Sequence, residues 1–586
     1  MAIIFFLFFS LMLCLSRAYE DCPILGPVFP PPSDFTSEHL QDAFSNLTEA
    51  LDQALSTGNS THGKVYNNTA FAIQFLSIND ATPLFQYYYT PKSMSTNSYG
   101  VSKVDGDSIF RIGSVSKLLL VYTLLLEVGE TYWDQPVTNF VPELQAHIAK
   151  SRTDLIDYTS WDQISLGALA GHLAGVTRDM AGAGGLTLAY AQKQLVALGF
   201  PPLNASEYPL CVANNSSACN RTEFFNAIDT RKPIYAPDTT PIYSNTAFQI
   251  LAYALEGIVG QSFETLLQRS LVTPLNLTGT SYSKPNDSRG VIPQNPTTSW
   301  WNADVGDVTP AGGLYSTAHD LAAIGRSILA SSLLSPNSTR AWMKPITHTS
   351  SIYESVGRPW EILRLVLPQP ANRVTDMYTK AGNLGLYNDV LALLPDYGVG
   401  FITMAAGSGS PNPFNGLIAD IVLPQFETIA REEADDVYAG TYAAAINGLN
   451  SSIQLTTDPS KPGLGIASFI SNGTDMLSII AELEGVSEIG IRAYPTNLES
   501  ATSSGNGTST STTSGKKIAF RTVIGFPTNF QDHGVFASCG SWGGVDGMTY
   551  GRYAVDDIVI TLNEAGTKAI SVSPNILMVD LERKSA

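Results

Sequence analysis

The sequence predicts an α+β fold: helices on a mostly antiparallel sheet with a helical subdomain, followed by a small all-β domain. Three observations predict it. Strand patterns stand at both ends of the first 430 or so residues with helical patterns between them, so one sheet must be assembled from the two ends. The stretch Leu118 to Leu126 is apolar on nearly every side and reads as a buried central helix. Beyond Asp436 the texture changes to short β runs separated by turns, as in a barrel or sandwich.

In chain order, residues 19–35 are Pro-rich and extended, and residues 36–56 read as an amphipathic helix. Phe71–Ile78 and Leu84–Tyr89 form a hairpin across Asn79–Pro83. A helix starts at or near Ser114 and runs to about Val128. Residues 130–240 are helical and loop-rich, with one helix at Ile164–His172 and a surface excursion at about 200–225. Further helices span Ser244–Val259, Phe263–Leu271 and Thr317–Leu329, the last capped by Thr317 or Ser316. Strands follow at Arg373–Lys380, Leu386–Leu394 and Gly398–Ala405, the last two joined by the Pro395–Gly398 turn, and Phe414–Ile429 reads as a closing helix. Glu432–Asp436 reads as a boundary. After it come β runs at Gly440–Tyr442, Ser452–Thr456, Leu477–Ala481, Ile489–Arg492, Ile518–Val523 and Asp557–Thr561. Ala501–Gly515, nearly all Ser, Thr, Gly and Asn, reads as a disordered loop. The domain plan is therefore a leader at 1–18, a first domain at 19–431 and a β-rich domain at 437–586.

Composition narrows the setting. The 586 residues are 44% hydrophobic and 15% charged, enough for more than one packed core, and the net charge of −19 argues against nucleic acid or anionic membrane as a partner. Ile3–Leu15 followed by Ser16-Arg17-Ala18 has the form of a secretory signal with its cleavage site, and the chain end at Asp580–Ala586 has no hydrophobic tail for a lipid anchor. A secreted, extracellular protein without a membrane anchor is expected. Cys14 leaves with the leader. Of the three pairings open to the other four cysteines, Cys211 with Cys219 and Cys22 with Cys539 is preferred, because the first two are close in sequence and bracket an Asn/Ser loop. Acceptor sequons at Asn46, Asn59, Asn67, Asn204, Asn214, Asn215, Asn220, Asn276, Asn286, Asn337, Asn450, Asn472 and Asn506 predict a glycoprotein.

The chemistry centres on Ser114 and Lys117. Three residues apart on a helix, they share a face. The helix N-terminus favours a serine alkoxide and a neutral amine, and burial behind the pair lowers a lysine pKa so that it can act as a base. Ser-x-x-Lys also occurs at Ser281/Lys284 and Ser514/Lys517, in polar or low-complexity surroundings. Only Ser114 has a buried helix behind it. Tyr243 and Asn245 stand at the start of the Ser244–Val259 helix, and Lys380-Ala381-Gly382 ends a strand just before a turn. Taken singly, Tyr243 and Lys380 would pass for ordinary core or surface residues.

Together, Ser114-x-x-Lys117, Tyr243-x-Asn245 and Lys380-Ala381-Gly382 resemble, in order and rough spacing, the three motifs of the serine β-lactamase and penicillin-binding-protein superfamily, in particular its class C β-lactamase-like branch. Phe110–Lys117, Ile164–Gly175, Val272–Thr280 and Pro310–Thr317 with Asp320 add to the resemblance, which covers about residues 40–430. Tyr438–Tyr442 resembles the start of the β-rich domain often appended in this family. The resemblance implies a β-lactamase/transpeptidase-like fold and an acyl-enzyme on Ser114, with Lys117 as base or proton relay. Tyr243 would help to activate Ser114 and then the incoming water or alcohol. Asn245 would contact the substrate amide or orient Lys117, and Lys380 would supply positive charge beside Tyr243. Gly382 leaves room for a substrate along the strand, and the oxyanion would rest on the N–H groups of Ser114 and Asn383. The family's third motif usually carries Thr where Ala381 stands. That hydroxyl helps to hold a carboxylate, so penicillins are expected to be poor substrates.

The expected function is a secreted serine hydrolase cleaving an ester or amide of a small molecule or peptide, with no cofactor. No metal site is expected, because the seven histidines show no ligand spacing. An acyltransferase tailoring a secondary metabolite and an inactive binding protein are the alternatives. No Gly-x-Ser-x-Gly occurs, which counts against an α/β-hydrolase. Oligomeric state is not legible in the sequence.

Overall fold

The computed structural model describes residues 22–96, 99–151, 153–180, 192–204, 207, 219–368, 373–444, 448–501, 515–526 and 540–585. The leader, most of the 501–515 loop, and Cys211, Cys539, Asn214, Asn215 and Asn506 lie outside them. The chain divides into two compact units. One comprises Pro32–Leu365 and Thr375–Phe426; the other comprises Met1–Pro31, Val366–Val374 and Glu427–Ala586.

The first unit is built on an eight-stranded sheet. Its strands are β1 (Ala70–Ser77), β2 (Phe85–Tyr89), β3 (Thr347–His348), β4 (Glu354–Val356), β5 (Glu361–Val366), β6 (Val374–Leu384), β7 (Tyr387–Leu394) and β8 (Val399–Ala406). Their order is β2-β1-β8-β7-β6-β5-β4-β3, so strands from the two ends of the unit meet at β1–β8. The ladders from β2 to β6 and from β5 to β3 are antiparallel. Every residue of β1 and of β8 is buried, as in a strand covered on both faces.

Alternation along β1 separates the two faces. Phe75 meets Phe44 of helix α1 (Glu38–Thr57) at 5.4 Å between ring centroids, and Phe71 meets Phe414 of a later helix at 4.5 Å. Leu76 faces the other way. A Cβ built on Gly325 would lie 2.9 Å from its Cδ2, so the close approach of that helix to the sheet requires the glycine. On this second face lies α2 (Ser116–Val128), buried from Ser116 to Leu125 among the core side chains. Here too are α3 (Leu166–Ala170), α4 (Asn245–Val259) and α5 (Ala318–Leu329), the helix that carries Gly325. Ser165, Ser244 and Thr317 cap α3, α4 and α5, each accepting a backbone N–H of the first turn.

Eight strands of the second unit's nine-stranded sheet form its ring, the ninth being the two-residue strand Thr474–Asp475 beside β11: β9 (Gly440–Ala444), β10 (Ser452–Asp458), β11 (Lys461–Ser471), β12 (Gly490–Ala501), β13 (Lys516–Gly525), β14 (Asp557–Leu562), β15 (Ala569–Pro574) and β16 (Leu581–Arg583). They pair in the order β10-β9-β16-β15-β14-β13-β12-β11, and β11 returns to β10, closing a barrel without free edges. The two fold expectations, antiparallel sheet with helices and β-rich barrel, both stand.

Two expectations need correction. Phe414–Ile429 is not one helix: Asn412–Ile421 (α6) ends at Val422, and α7 (Leu423–Tyr438) begins afresh with Pro424 in its first turn, the one place a helix tolerates proline. Glu432–Asp436 is helical and lies in the second half of α7. Its Glu and Ala residues are good helix formers, and Ala434 and Val437 are buried while the acids lie around them. Leu477–Ala481 is not a strand but part of a short helix, α8 (Met476–Leu483). Asp475 nucleates it by accepting both the Leu477 N–H and the Ser478 hydroxyl. No helix of the described residues is long and apolar enough to cross a membrane.

Candidate active site

The nucleophile turn is held by backbone on two sides. Phe110 and Arg111 pair with Ser316 and Tyr315, and a tight 3₁₀ turn, Gly113–Val115, leads into α2. The Ser116 hydroxyl donates to Gly113 O at 2.7 Å and accepts the Leu314 N–H at 3.1 Å, tying this turn to the Pro310–Thr317 phrase. Gly113 has φ +48, and a Cβ there would lie 2.4 Å from Asn383 N. The turn therefore requires glycine both for its left-handed backbone and for contact with β6.

Ser114 is half-buried in the 3₁₀ turn that leads into α2. Its Oγ accepts from Lys117 Nζ at 2.9 Å and from Tyr243 OH at 2.5 Å. Lys117 is fully buried and also donates to Asn245 Oδ1 at 2.6 Å and to Ala311 O at 2.5 Å. Asn245 is held in turn, its Nδ2 donating to Asp179 Oδ1 at 2.7 Å and its N–H to Arg178 O at 2.8 Å. Burial pushes the Lys117 amine down to about 8, reinforced by Lys380 and opposed by Tyr243 and Asp179. For Tyr243, burial alone would raise the phenol. The Lys380 and Lys117 ammoniums outweigh it and bring the group below its ordinary value.

Lys380 is buried and pairs with Glu361 of β5; its Nζ also donates to Ala381 O at 2.8 Å. Burial would lower its pKa, but the carboxylate of Glu361 and Tyr243 hold it above the usual lysine range. Its ammonium lies 5.4 Å from the Tyr243 ring centroid, that of Lys117 4.9 Å, and the Arg178 guanidinium 4.8 Å. His172 stacks on the same ring at 4.5 Å. Its Nδ1 accepts the Ser244 N–H at 3.1 Å, so the proton sits on Nε2, which is buried and has no hydrogen-bond partner among the described residues. Burial and the neighbouring Lys117, Lys380 and Arg178 push the imidazole well below its ordinary pKa, and it is neutral. His172 and the three cations thus fix Tyr243 without adding a second base.

Beside Ser114, Gly382 of β6 lies flat against the nucleophile turn: a Cβ built on it would be 2.1 Å from Ile112 O and 3.0 Å from Ser114 N. That proximity brings the N–H of Asn383 next to the N–H of Ser114. In the β6–β7 hairpin Leu384 pairs with Tyr387 across a two-residue turn, so Leu384, Gly382 and Lys380 are the hydrogen-bonded positions. The N–H groups of Ala381 and Asn383 therefore point to the other edge.

All seven expected site residues, Ser114, Lys117, Tyr243, Asn245, Lys380, Gly382 and Asn383, gather in one place. The Ser281/Lys284 pair does not form: Ser281 donates to Ser283 O and Lys284 pairs with Asp287. Ser514 lies outside the described residues. Sequence reasoning missed Glu361, Asp179, Arg178, His172 and the Ala311 carbonyl. The phrases around His172 and Ala311 are legible in the sequence, but nothing in a phrase tells which atom turns toward a site. Asp320, legible in the same way, is structural: it accepts the N–H of Gly279 at 2.8 Å and the Thr280 hydroxyl at 2.8 Å. Among the described residues no cluster of three or more His, Cys, Asp or Glu side chains could hold a metal ion.

A serine hydroxyl held by a lysine and a tyrosine, on a helix packed against an antiparallel sheet, defines a class. A family profile described as Beta-lactamase matches residues 55–423, well over half of the chain, and the chain belongs to that family of serine hydrolases. A second profile, described as Beta-lactamase-like-like, C-terminal domain, matches residues 430–585. Among individual proteins, the chain is similar to a Beta-lactamase-like protein of Arthroderma benhamiae, 31% identical over 590 residues that cover 95% of each chain. It is also similar to a Probable hydrolase M10 of Phoma sp., 28% identical over 490 residues, 81% of this chain and 78% of the other. A D-alanine carboxypeptidase of Burkholderia cenocepacia with a solved structure is 20% identical, with a TM-score of 0.44 over 66% of this chain and 99% of that one.

Proposed function

We propose that the protein hydrolyses an ester or amide of a small molecule or peptide through an acyl-enzyme on Ser114. The observation that carries this reading is the position of Ser114 Oγ, within 2.9 Å of Lys117 Nζ and 2.5 Å of Tyr243 OH, beside the N–H groups of Ser114 and Asn383. Ser114 Oγ attacks the substrate carbonyl carbon while its proton passes to Lys117 or Tyr243, the two groups whose basicity is tuned toward neutrality. The carbonyl oxygen takes the negative charge against the two N–H donors. Collapse of the tetrahedral intermediate expels the alcohol or amine, which takes the proton from the same pair. Water then gives its proton to Tyr243 or Lys117 and attacks the acyl carbon; the acyl bond to Ser114 breaks, Ser114 Oγ takes that proton back, and the acid is released.

The test is intact-mass spectrometry of the deglycosylated protein after brief exposure to a panel of activated esters, alongside Ser114→Ala. A transient adduct on Ser114, absent from the variant, is expected. A folded sample that gives no adduct with any ester would remove this reading.

The protein is further proposed to be a secreted glycoprotein. Support comes from the ten acceptor asparagines within the described residues, Asn46, Asn59, Asn67, Asn204, Asn220, Asn276, Asn286, Asn337, Asn450 and Asn472, all of which are exposed. Cys22 and Cys219 are disulfide-bonded, which supports the pairings Cys22–Cys539 and Cys211–Cys219; non-reducing peptide mapping tests them.

A further inference from the structure

Glu361 stands where a substrate would lie along β6. It opens β5 immediately after Trp360, which is fully buried against Trp342 at 5.1 Å and Tyr378 at 5.9 Å, and its own carbonyl accepts the Thr379 hydroxyl at 2.6 Å. The side chain is thus fixed from behind while remaining 27% exposed. One carboxylate oxygen binds Lys380 Nζ; the other accepts the Ala381 N–H at 2.8 Å. Lys380 in turn covers Ala381 O.

The consequence follows from the strand edge. After Lys380, the donors of β6 that point away from β7 are Ala381 N–H and Asn383 N–H. Glu361 takes the first, which leaves Asn383 N–H beside Ser114. Lys380, the cation on this edge, already has a carboxylate. A substrate acyl group laid along the edge therefore meets the open side of the Glu361–Lys380 ion pair, with the carboxylate as its exposed member, in place of a free cation and a free N–H. An ionised carboxylate has about four lone-pair sites, and Glu361 uses one on each oxygen for the two contacts above. The remainder can accept from an amide N–H, a hydroxyl or an ammonium, and they repel a carboxylate.

We propose that Glu361 sets the acyl-group specificity of this site, admitting neutral, hydrogen-bond-donating or cationic acyl groups and rejecting carboxylate-bearing ones. The proposal rests on the acyl-enzyme reading above. Glu361 is a specificity residue here: it touches the substrate and does not enter the bond-making steps.

The experiment compares two p-nitrophenyl esters, the monoester of glutaric acid and its methyl ester, in wild type, Glu361→Gln and Glu361→Ala. The readout is the ratio of kcat/KM for the anionic ester to that for the neutral one. Because both values come from the same sample, loss of active fraction in a variant cancels. The exposed carboxylate is the nearer charge of the pair, and its effect on a second carboxylate is worth about tenfold. The wild type should disfavour the anion by that much, and both variants, which leave Lys380 without this carboxylate, should erase the difference or invert it. A ratio that moves less than threefold in both variants, or a wild type that takes both esters equally, overturns the proposal while leaving the acyl-enzyme intact. Absence of any Ser114 adduct by mass with either ester removes the acyl-enzyme reading and this proposal with it.

Discussion

Gly382 and Ile112 meet backbone to backbone: a methyl group on Gly382 would lie 2.1 Å from the Ile112 carbonyl oxygen. The partner atom is main chain, so it cannot swing aside as a flexible side chain would. This contact brings the Asn383 N–H of the sheet to the Ser114 N–H of the nucleophile turn, and two donors from elements far apart in sequence stand together where the proposed mechanism places the oxyanion.

Gly382→Ala should therefore push β6 off the nucleophile turn and pull the two donors apart. Loss of one oxyanion donor costs about 10²–10³ in rate, and a fall of that order is expected in the rate of Ser114 acylation. The measurement is stopped-flow release of p-nitrophenol under single-turnover conditions. An acylation rate within tenfold of wild type would show that the contact does not set the pocket.

Arg111 gives a prediction about stability. It is 2% exposed, and its guanidinium donates to three carbonyls: Trp300 at 2.8 Å, Ala303 at 2.6 Å and Gly313 at 3.1 Å. It also lies 4.6 Å from the Tyr315 ring. These bonds pin the Trp300–Gly313 segment to the strand that leads into Ser114. A lysine has a single nitrogen and cannot reach all three carbonyls from a stem that short. Arg111→Lys should cost roughly 3 kcal/mol, seen as a lower urea midpoint with an unchanged slope.

Where the sequence spoke clearly, it did so through local pattern. The all-apolar run after Lys117 could only be a buried helix, and Ser244 marked the start of α4 because capping is a short-range device. Ser114, Lys117, Tyr243, Asn245 and Lys380 were legible because each sits in a short, ordered phrase. Glu361 was not: β3, β4 and β5 lie at the half-exposed end of the sheet, where burial does not alternate cleanly, and neither the strand nor its first residue leaves a periodic signal. His172 ends a recognised phrase, yet its role depends on φ +59, which turns the ring back onto Tyr243. Backbone reversals of that kind follow from tertiary packing and have no counterpart in a composition pattern. The helix at Met476–Leu483 misled for a related reason: Ile479 and Ile480 favour strands, but the Asp475 cap decides.

The pH dependence of acylation should carry the mark of Lys117. Its amine is pushed down to about 8 by burial, so at pH 7 it is mostly protonated and cannot take a proton. The rate should rise with pH and level off above about 8. Removing Lys380 removes a charge that lowers the Lys117 pKa, so Lys380→Met should move the limb to higher pH. Tyr243 raises the same pKa, so Tyr243→Phe should move it lower, whatever that substitution does to the absolute rate. If neither variant moves the limb, the titrating group is not Lys117.

Asp179 offers a cleaner displacement of the same limb. It does not contact Ser114, but its carboxylate raises the Lys117 pKa and fixes Asn245, which accepts from Lys117. Asp179→Asn keeps an oxygen to accept from Asn245 Nδ2 and removes only the charge. The Lys117 ammonium then loses a distant partner, its pKa falls further, and the limb should shift to lower pH. At pH 6.5 the rate should exceed that of wild type by a few-fold, while the plateau above the limb stays the same. A role in positioning Asn245 alone predicts the opposite pattern, with the plateau reduced and the limb where it was. Measuring kcat/KM from pH 5.5 to 9.5 on one activated ester separates the two.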